Sequence, residues 1–419
     1  MNIAILGGGF TGLTAAYYLA KKNHRVTVFE KEKVFGGLAS GFRSKNWNWY
    51  LERAYHHLFA NDSDILNFAK EIGFDKIFFR SPVTASLFNN EAIFPLDTPL
   101  DLLKFPYLNI IDKLRAGIVI TFLKLSPFLL LYEQQTSKEF LRKTMGKKVW
   151  NILWQQLFRE KYGDYAGNIL ASFIWARIKK RTKNLGYVEG GFQILINYIA
   201  DKLKTLRANI STDYEIEEIK KRGNKFIINN TLYDVVISTL PTPVLTKISP
   251  TVLPKNYLNQ LSKIKYLHAL TLILETDGPI LDKTYWLNIS TPKIPIMGIV
   301  QHTNFIDKKH YGNKHIAYLG WYVKLEDRKW NMGDRELLDY VTPYLKKINP
   351  NFLISQFLNF YVFRSSFAQP IFDKEFVKNK PNYITPIKNF FIANLDMTYP
   401  YDRGTNYAVK LGKQVAELI

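Results

Sequence analysis

Apolar runs of two kinds alternate at the start of the chain and predict a β-α-β unit. Asn2–Leu6 is a short apolar run of strand type, and residues 13–19 are small and apolar, as in a buried helix. A second strand-like run, Arg25–Phe29, follows and ends at the acidic Glu30. This order of strand, helix and strand is typical of an α/β protein whose strands are parallel.

The turn between the first predicted strand and helix is a glycine motif. Residues 7–12 read GGGFTG, which is the pattern G-x-G-x-x-G. Gly7 permits a tight turn, Gly9 lets the backbone approach a pyrophosphate, and Gly12 lets the helix pack closely on the strand. The helix N-terminus offers N–H groups to that pyrophosphate, and Glu30 can accept hydrogen bonds from a ribose. The segment predicts a dinucleotide site, with a glycine-rich turn of an unrelated α/β fold as the alternative.

A second pair of glycines bears on which dinucleotide is bound. Gly36-Gly37 follows a charged loop after Glu30, and an NAD domain has no need of glycines there. An extended FAD molecule does need them, because its pyrophosphate and ribityl chain run past this loop. The pattern resembles the glutathione-reductase-like flavoproteins, in the branch that holds amine oxidases, protoporphyrinogen oxidases, phytoene desaturases and UDP-galactopyranose mutase. The resemblance implies FAD as the cofactor, and NAD as the sole ligand is the alternative.

The C-terminus resembles the same flavoproteins. A strand-type run at 389–393 leads into a loop, 394–406, and then into a helix-like segment, 407–418. In the family such a helix points its N-terminus at the flavin, where its dipole would stabilise negative charge on the reduced ring. The family usually ends this strand with Ala-Gly-Asp, whereas residues 393–395 are Ala-Asn-Leu, so Asp396 is the candidate for the ribityl contact.

The middle of the chain carries a third segment of this kind. A Gly190-Gly191 pair precedes an apolar helix predicted at 193–206, and strand-like runs follow at 213–219, 225–228 and 233–239. The resemblance implies that backbone near Ile216 meets the adenine. Across the three segments, the expected FAD contacts are Gly7, Gly9, Phe10, Thr11, Gly12, Glu30, Lys31, Gly36, Gly37, Leu38, Ile216, Asp396, Thr405 and Asn406.

The three segments imply two interleaved domains. Residues 1–74, 185–250 and 387–419 are expected to form an α/β, Rossmann-like FAD-binding domain of the glutathione-reductase type (GR2). The insertions, 75–184 and 251–386, are expected to fold together as an α+β substrate-binding domain over the flavin. Within the first insertion, helical spacing predicts helices at 110–132, 137–145 and 147–158. Within the second, alternation predicts strands at 269–275, 296–301 and 315–321, and helical spacing predicts a helix at 336–347.

Two side chains are the candidate reacting groups. Residues 56–59 read His-His-Leu-Phe, and the galactopyranose mutases have a similar His-Ile-Phe sequence against the flavin. Adjacent residues of an extended chain point to opposite sides, so His57 is expected to face the ring for hydrogen bonding or proton transfer, with packing as its alternative role. Arg403, between the last strand and helix, can pair with a phosphate or carboxylate. Its alternative role is a salt bridge with Asp402 or Asp396.

Composition narrows the setting of the protein. With 419 residues, 47% of them hydrophobic, the chain is expected to fold as more than one domain. The absence of cysteine excludes disulfides, a thiolate nucleophile and flavin attached through a cysteine. The first residues already predict a strand, so no signal peptide is expected, and no apolar stretch reaches the ~18 residues of a spanning helix. A cytoplasmic enzyme is therefore expected. No metal site is expected, since no set of His, Asp and Glu has metal-ligand spacing.

The net charge of +21 leaves three explanations open. Two are an anionic membrane surface and an anionic substrate, and the third is a lysine-rich surface that only aids solubility. Nucleic acid is not expected as a partner, because no recognition motif accompanies the charge. Residues 118–132, IVITFLKLSPFLLLY, are too interrupted to span a bilayer. They are either buried between the domains or dip into one leaflet, with Lys113, Arg115 and Lys124 on the headgroups. The second case would place the protein peripherally on the inner face of the membrane.

Taken with the resemblance, these patterns predict an FAD-dependent oxidoreductase. It would transfer a hydride between flavin and a C–N or C–C bond of an organic substrate. The expected substrate is a small molecule or a lipid-linked or glycan precursor, and an anionic one would suit the charge. The first alternative is a flavin-dependent sugar mutase of the UDP-galactopyranose mutase type, in which net redox is zero. The second is a flavin-fold subunit that binds a precursor for a partner enzyme and is not catalytic itself.

Overall fold

Two large β-sheets, one parallel and one mixed, organise the chain; the computed structural model describes residues 1–88, 92–353 and 356–419. The strands are β1 (Asn2–Leu6), β2 (Arg25–Phe29), β3 (Gly41–Phe42), β4 (Leu51–Glu52), β5 (Leu58–Phe59), β6 (Ile77–Arg80), β7 (Val83–Leu87), β8 (Ile93–Pro95), β9 (Leu185–Val188), β10 (Asn209–Ser211), β11 (Lys220–Arg222), β12 (Lys225–Ile228), β13 (Thr231–Tyr233), β14 (Val235–Ser238), β15 (Tyr266–Thr276), β16 (Thr284–Ile289), β17 (Gly298–Gln301), β18 (His315–Val323), β19 (Phe357–Pro370) and β20 (Phe390–Ile392). The α-helices are α1 (Phe10–Lys21), α2 (Ser63–Ile72), α3 (Pro99–Lys104), α4 (Ile110–Leu125), α5 (Leu129–Glu133), α6 (Ser137–Thr144), α7 (Lys147–Val149), α8 (Gln155–Tyr162), α9 (Ala171–Lys180), α10 (Phe192–Thr205), α11 (Thr242–Ile248), α12 (Lys255–Leu261), α13 (Arg328–Asn331), α14 (Asp334–Ile348), α15 (Lys374–Asn379) and α16 (Thr405–Glu417).

The parallel sheet has the strand order β10-β2-β1-β14-β20, and every neighbouring pair in it is parallel. In the central strand, Ile5 lies opposite Val28 of β2 and Ile237 of β14. All three side chains are fully buried, in a core shared with α1, α10 and α16. The antiparallel β11-β12-β13 meander contributes to the core on the opposite face, where Ala4 and Leu6 point. A parallel sheet covered on both faces is the architecture of a Rossmann-like domain, and the predicted fold class is confirmed.

The second sheet has seven strands in the order β19-β15-β18-β17-β16-β7-β8. Its neighbours are antiparallel, except that β16 and β7 are parallel. Strand β15 is buried along its whole length after Tyr266. Side chains on one face of β15 belong to the two hydrophobic cores that cover the parallel sheet. Side chains on its other face belong to a core that includes α14. This mixed sheet is therefore joined to the parallel sheet by a continuous apolar core.

Helices α3 to α9 form a helical layer from residues 99–180. Its core includes Tyr132, whose ring stacks on that of Trp175 at 5.7 Å. The single helix predicted over 110–132 is broken in two, because Pro127 cannot continue a helix and restricts the residue before it. No helix in the described ranges is long and apolar enough to cross a membrane.

One predicted strand is wrong. The stretch 213–219 alternates apolar and polar side chains but lies outside the strands, between β10 and β11. Its backbone crosses the end of β2 instead, where the N–H groups of Asp213 and Tyr214 donate to the carbonyls of Glu32 and Glu30. The strands of the parallel sheet come from the three segments predicted for FAD, and the boundaries between two domains stay a prediction.

Candidate active site

The glycine motif forms the turn between β1 and α1. Gly7 has a φ of +105°, and its N–H donates to the Phe29 carbonyl at 2.9 Å. A Cβ on Gly12 would lie 2.0 Å from the Gly7 carbonyl oxygen, so only glycine lets α1 start this close to the turn. Within the described ranges, the backbone N–H groups of Phe10, Thr11 and Gly12 have no hydrogen-bond acceptor. This helix end is therefore open to a phosphate.

The second glycine pair lies directly against this turn. The Gly36 N–H donates to the Gly8 carbonyl at 2.9 Å, and Gly36 and Gly37 have φ angles of +128° and +55°. A Cβ built on Gly9 would have the Gly37 Cα, at 3.9 Å, as its nearest neighbour among the described residues. The two glycine loops leave an open space between their backbones, and a side chain in place of a glycine would fill it. We call this space the glycine cradle. The cradle fits the pyrophosphate of FAD, and the half-buried Leu38 follows it.

The carboxylate of Glu30 closes the same turn from the end of β2. Its Oε2 accepts from the Gly8 N–H at 2.8 Å, and its Oε1 accepts from the Glu32 N–H at 2.9 Å. The residue is only 7% exposed, so these bonds hold the carboxylate in one position. Each oxygen retains a lone pair with which a ribose hydroxyl can bond.

Two further predicted contacts lie around the end of β2. The Tyr214 N–H donates to the Glu30 carbonyl at 2.9 Å, and the Tyr214 ring packs 5.2 Å from that of Phe29. Ile216 is half-buried two residues further on, whereas Lys31 is exposed. The backbone before Ile216 thus runs past the acidic residue, on the side where the adenine is expected. Its contact with the cofactor stays a prediction.

Asp396 lies in a short 3-10 turn after β20 and is buried. Its Oδ2 accepts from the hydroxyls of Thr242 and Tyr266 at 2.5 and 2.6 Å. Its Oδ1 is buried without a hydrogen-bond partner in the described part of the chain. Burial raises the pKa of this carboxyl to about 6. One oxygen is thus committed to the protein, and the other is the one that a ribityl hydroxyl could reach.

Asn406, predicted to contact FAD, uses its side chain to cap α2. Its Oδ1 accepts from the N–H groups of Asp64 and Ile65 at 2.9 and 3.1 Å, and its Nδ2 donates to the Asp64 carboxylate at 3.1 Å. These bonds use most of the capacity of the amide and satisfy the first turn of α2. A ligand would meet the backbone of Asn406, together with the neighbouring Thr405, which is the buried first residue of α16.

Glu52 is a buried carboxyl group that sequence reasoning missed. It is 0% exposed, and it accepts from the Tyr187 hydroxyl and from the Phe192 N–H at the start of α10, each at 2.7 Å. Burial raises its pKa from 4.5 to about 7, although both hydrogen bonds oppose the shift. The available signal was an acidic residue in the apolar pattern of β4, a few residues before the two histidines.

The two histidines face different neighbours. The Nδ1 of His56 lies 2.7 Å from the Ala54 carbonyl oxygen, and its ring lies 5.8 Å from that of Phe192. The ring of His57 lies 6.1 Å from that of Trp286, and its Nδ1 is buried with no partner among the described residues. Burial lowers the pKa of His56 to about 4 and that of His57 to about 3. Both shifts favour neutral rings at pH 7, and the role of His57 in hydrogen bonding or proton transfer stays a prediction.

Arg403 belongs to a cationic cluster, by which we mean Lys161, Arg177, Arg403 and the carboxylate of Asp402. Lys161 Nζ donates to Asp402, and Arg177 Nη1 lies 3.9 Å from the same carboxylate. The Arg403 backbone N–H, rather than its guanidinium, donates to Asp402 at 3.1 Å. After burial, the charge of Arg403 is a further cause of the lowered pKa of His56. The charge of Arg403 thus reaches His56, while a common site for Arg403 and His57 stays a prediction. Lys161 and Arg177 were not identified from the sequence.

The sequence profile of the family described as flavin containing amine oxidoreductase matches residues 10–419. The chain is 33% identical to 15-cis-phytoene desaturase of Synechococcus elongatus over 75 residues, which is 18% of this chain. The matched stretch spans only 16% of that relative, so the activity of the whole desaturase does not transfer to this chain.

Solved structures match over the whole length. A protein of Exiguobacterium sp. 255-15, provisionally named a protoporphyrinogen oxidase, superposes with a TM-score of 0.76 at 18% identity. The match covers 100% of this chain and 98% of that one. Reduced UDP-galactopyranose mutase superposes with a TM-score of 0.76 at 14% identity, covering 99% of this chain and 94% of the mutase. At these identities both structures demonstrate a common fold alone.

Proposed function

This chain belongs to the family of flavin-containing amine oxidoreductases, and we propose that it transfers a hydride between FAD and a C–N or C–C bond of an organic substrate. FAD is its cofactor, and it is an oxidoreductase. The observation that carries the proposal is the glycine cradle closed by Glu30, with the histidine pair next to it. The Arg53 N–H donates to the Ser40 carbonyl at 3.1 Å, and this contact, three residues from each motif, supports a position of the histidines near the second glycine pair.

FAD, when bound, supplies the group that accepts or gives the hydride. The remaining work falls to this chain's residues. The N–H groups of Phe10, Thr11 and Gly12 would hold the pyrophosphate, because they lie at the positive end of α1 and lack acceptors of their own in the described chain. Glu30 would hold the ribose, and the start of α16 would present its N–H groups to the flavin.

His57 and Arg403 would act on the substrate side. A neutral His57 offers a ring nitrogen that is buried and unpartnered within the described ranges, so it can position one hydroxyl, amine or flavin atom. Arg403 keeps most of its N–H donors, because within the described part of the chain its guanidinium makes one hydrogen bond, from Nη1 to the Ala368 carbonyl at 3.3 Å. It would orient an anionic part of the substrate.

The test is anaerobic mixing of the purified holoprotein with amines, amino acids and polyenes. We expect at least one class to bleach the visible absorbance of the flavin, and His57→Ala to slow that bleaching without loss of FAD. A protein that is colourless and cannot be reconstituted with FAD contradicts the proposal. Flavin that no substrate reduces, and that in its reduced form no substrate reoxidises, points to the non-catalytic binding subunit.

A redox-neutral sugar mutase is the second candidate. It is favoured by the residues His57-Leu58-Phe59, which resemble the flavin-side sequence of the mutases, and by the cationic cluster, which suits a phosphorylated sugar. A mutase would interconvert two sugar isomers only with reduced flavin and would consume no reductant. Product analysis under excess dithionite, compared with the bleaching experiment, separates the two candidates.

We also propose that the protein works at a membrane surface, which it touches with an apolar face on α3, α4 and α5. The face consists of the following side chains, which are between 47% and 74% exposed: Leu100, Leu103, Ile110, Ile111, Leu114, Ile118, Phe122, Leu125, Phe128, Leu130 and Leu131. So many exposed apolar side chains on successive helices are unfavourable in water. The alternative that residues 118–132 are buried between the domains is excluded for these exposed side chains.

The charge around the apolar face indicates what covers it. Basic residues outnumber acidic ones over residues 99–148. The expected headgroup cations Lys113, Arg115 and Lys124 donate to backbone carbonyls, and the exposed Lys104, Lys138 and Lys143 lie near the apolar face in sequence. The whole chain carries a net charge of +21. Apolar side chains flanked by cations are suited to a bilayer with anionic headgroups. Flotation with vesicles of phosphatidylglycerol tests this proposal, and absence of binding at low salt contradicts it.

A further inference from the structure

The cationic cluster places three basic residues around one carboxylate. Asp402 accepts from Lys161 Nζ, and Arg177 Nη1 lies 3.9 Å from it. Arg403 follows Asp402 directly and binds it through its backbone N–H. The cluster therefore carries an excess of positive charge.

Nearby basic residues have carboxylates of their own. Lys180 lies 3.5 Å from Asp62, and Arg181 pairs with Asp97. Lys324 Nζ lies 2.7 Å from the carboxylate of Asp164. Each of these carboxylates is thus paired with another basic residue. None of them offsets the net positive charge of the cluster.

Aromatic rings wall the cluster and keep water from part of it. Lys161 Nζ lies 4.7 Å from the ring centre of Phe173 and 5.6 Å from that of Tyr322. The Arg403 guanidinium lies 4.9 Å from the ring centre of the same tyrosine. Burial, together with the charges of Arg177 and Arg403, lowers the pKa of Lys161 to about 8 against the opposing effect of Asp402. An added anion would relieve this repulsion, because charges interact more strongly where water is excluded.

The cluster also has hydrogen-bond donors to spare. The Arg177 side chain is 41% exposed, and within the described ranges its guanidinium makes no hydrogen bond or ion pair besides the one to Asp402 at 3.9 Å. Arg403 uses one guanidinium N–H, for the Ala368 carbonyl. Two guanidinium groups with free N–H donors beside one lysine form the arrangement that binds phosphate oxygens bidentately.

From this juxtaposition we infer that Lys161, Arg177 and Arg403 bind a phosphate group of the substrate. A phosphate dianion would neutralise the excess charge of the cluster, whereas a carboxylate would leave half of it. Helix α9, which carries Arg177, also touches the loop behind the apolar face, since Trp175 Nε1 and Lys179 Nζ donate to the Ser126 carbonyl at 2.9 and 2.8 Å. A phosphate on a membrane amphiphile and a soluble phosphate ester are therefore both compatible with the site, and the phosphate is what they share.

Calorimetric titration of the FAD-loaded protein tests the inference. The probes are inorganic phosphate, pyrophosphate, and dodecyl phosphate in neutral detergent micelles, each at constant ionic strength. We expect Arg177→Gln to weaken binding roughly tenfold or more, and Arg177→Lys, which keeps the charge, to weaken it less. The matched control is Arg181→Gln, on the turn after α9, where the arginine already has Asp97; its affinity should stay within about twofold of wild type.

The outcomes separate the two sources and the underlying function. Dodecyl phosphate that binds more tightly than inorganic phosphate, with the gain lost in Arg177→Gln, identifies a lipid source; equal binding identifies a soluble one. Absence of binding of all three probes, or an equal loss in Arg181→Gln, overturns the inference. The inference rests on the proposed function only in treating the phosphate as part of a substrate. Calorimetry requires no turnover, so its failure is distinguishable from failure of the flavin to be reduced.

Discussion

The backbone N–H of Gly8 donates to the carboxylate of Glu30 at 2.8 Å, and this hydrogen bond joins the glycine turn to the end of β2. The same carboxylate accepts from the Glu32 N–H at 2.9 Å. It is therefore held from both sides before a ribose reaches it. An acceptor that is already fixed loses little freedom on binding, which favours affinity. Glu30 thus shapes the turn and keeps lone pairs for the ribose contact that we predict.

Replacing Glu30 with alanine should weaken FAD binding far more than replacing Glu32. Loss of buried hydrogen bonds to the ligand and to the turn costs on the order of 1–3 kcal/mol, or roughly 5- to 150-fold in the dissociation constant. Glu32 is the matched control, because its side chain is 48% exposed and contacts Arg53 only at 3.5 Å. Flavin fluorescence in the filtrate after dilution measures both variants. Equal retention of FAD in the two would contradict the role assigned to Glu30.

Replacing Glu52 with glutamine should make the protein less sensitive to rising pH. The folded protein raises the pKa of this carboxyl from 4.5 to about 7, so between these values the unfolded chain releases a proton that the folded chain keeps. The contribution of Glu52 to stability is therefore full below pH 4.5 and is lost as the pH rises through 7. At ~1.4 kcal/mol per pH unit, the loss approaches ~3 kcal/mol.

Urea unfolding of wild type and Glu52→Gln at pH 5 and pH 8 measures this difference. At pH 5 the free energy of unfolding of the variant should be equal to or lower than that of wild type. At pH 8 the difference should shift in favour of the variant. The Tyr187 hydroxyl can turn to accept from the new amide, so the site stays satisfied. A difference between the two proteins that is the same at both pH values would refute the raised pKa.

Replacing His57 with alanine should leave FAD bound and change its redox potential or its turnover, and His56→Ala should do less. His57 has the buried, unpartnered Nδ1, whereas the Nδ1 of His56 already meets the Ala54 carbonyl. Because the pKa of His57 is lowered to about 3, the pH profile between 5 and 8 should not contain its titration. Spectroelectrochemical titration and turnover across pH measure these effects. A larger effect of His56→Ala would exchange the roles of the two residues.

The parts of the fold that could be predicted depend on neighbours in sequence. Strands β1 and β2 have the predicted bounds, and the glycine motif lies in the turn between them, because a turn and its flanking strands are a local pattern. The stretch 213–219 was misread for the same reason, since alternation alone does not supply a pairing partner. Its N–H groups found the carbonyls of Glu30 and Glu32 instead of a neighbouring strand.

The parts of the site that could not be predicted depend on contacts between distant residues. Glu52 meets Tyr187 across 135 positions, and Lys161 meets Asp402 across 241. Nothing in the local pattern around either residue records those partners. Arg403 was recognisable because it lies in the loop before the last helix, but its excess charge became evident only with Lys161 and Arg177 beside it.

The apolar face should carry the protein to anionic membranes, and changing Ile118, Phe128 and Leu130 together to serine should release it. These side chains are 71%, 65% and 72% exposed, so serine there leaves the core intact. Leu129 is left unchanged because it is partly buried against the core. Each side chain buried in acyl chains contributes on the order of 1–3 kcal/mol, so the triple change should reduce binding by at least roughly a hundredfold.

Flotation with phosphatidylglycerol vesicles at low and high salt measures the release. The matched control is Ile384→Ser, which removes an apolar side chain that is 68% exposed but lies far in sequence from the face. Wild type and control should float to the same extent. Both should float more at low salt than at high salt, because added salt shortens the Debye length and screens the attraction of the basic residues to the anionic headgroups. If the triple variant floats as well as wild type, the protein binds the membrane through a different surface. Flotation lost equally in Ile384→Ser would show that the effect is not specific to α4 and α5.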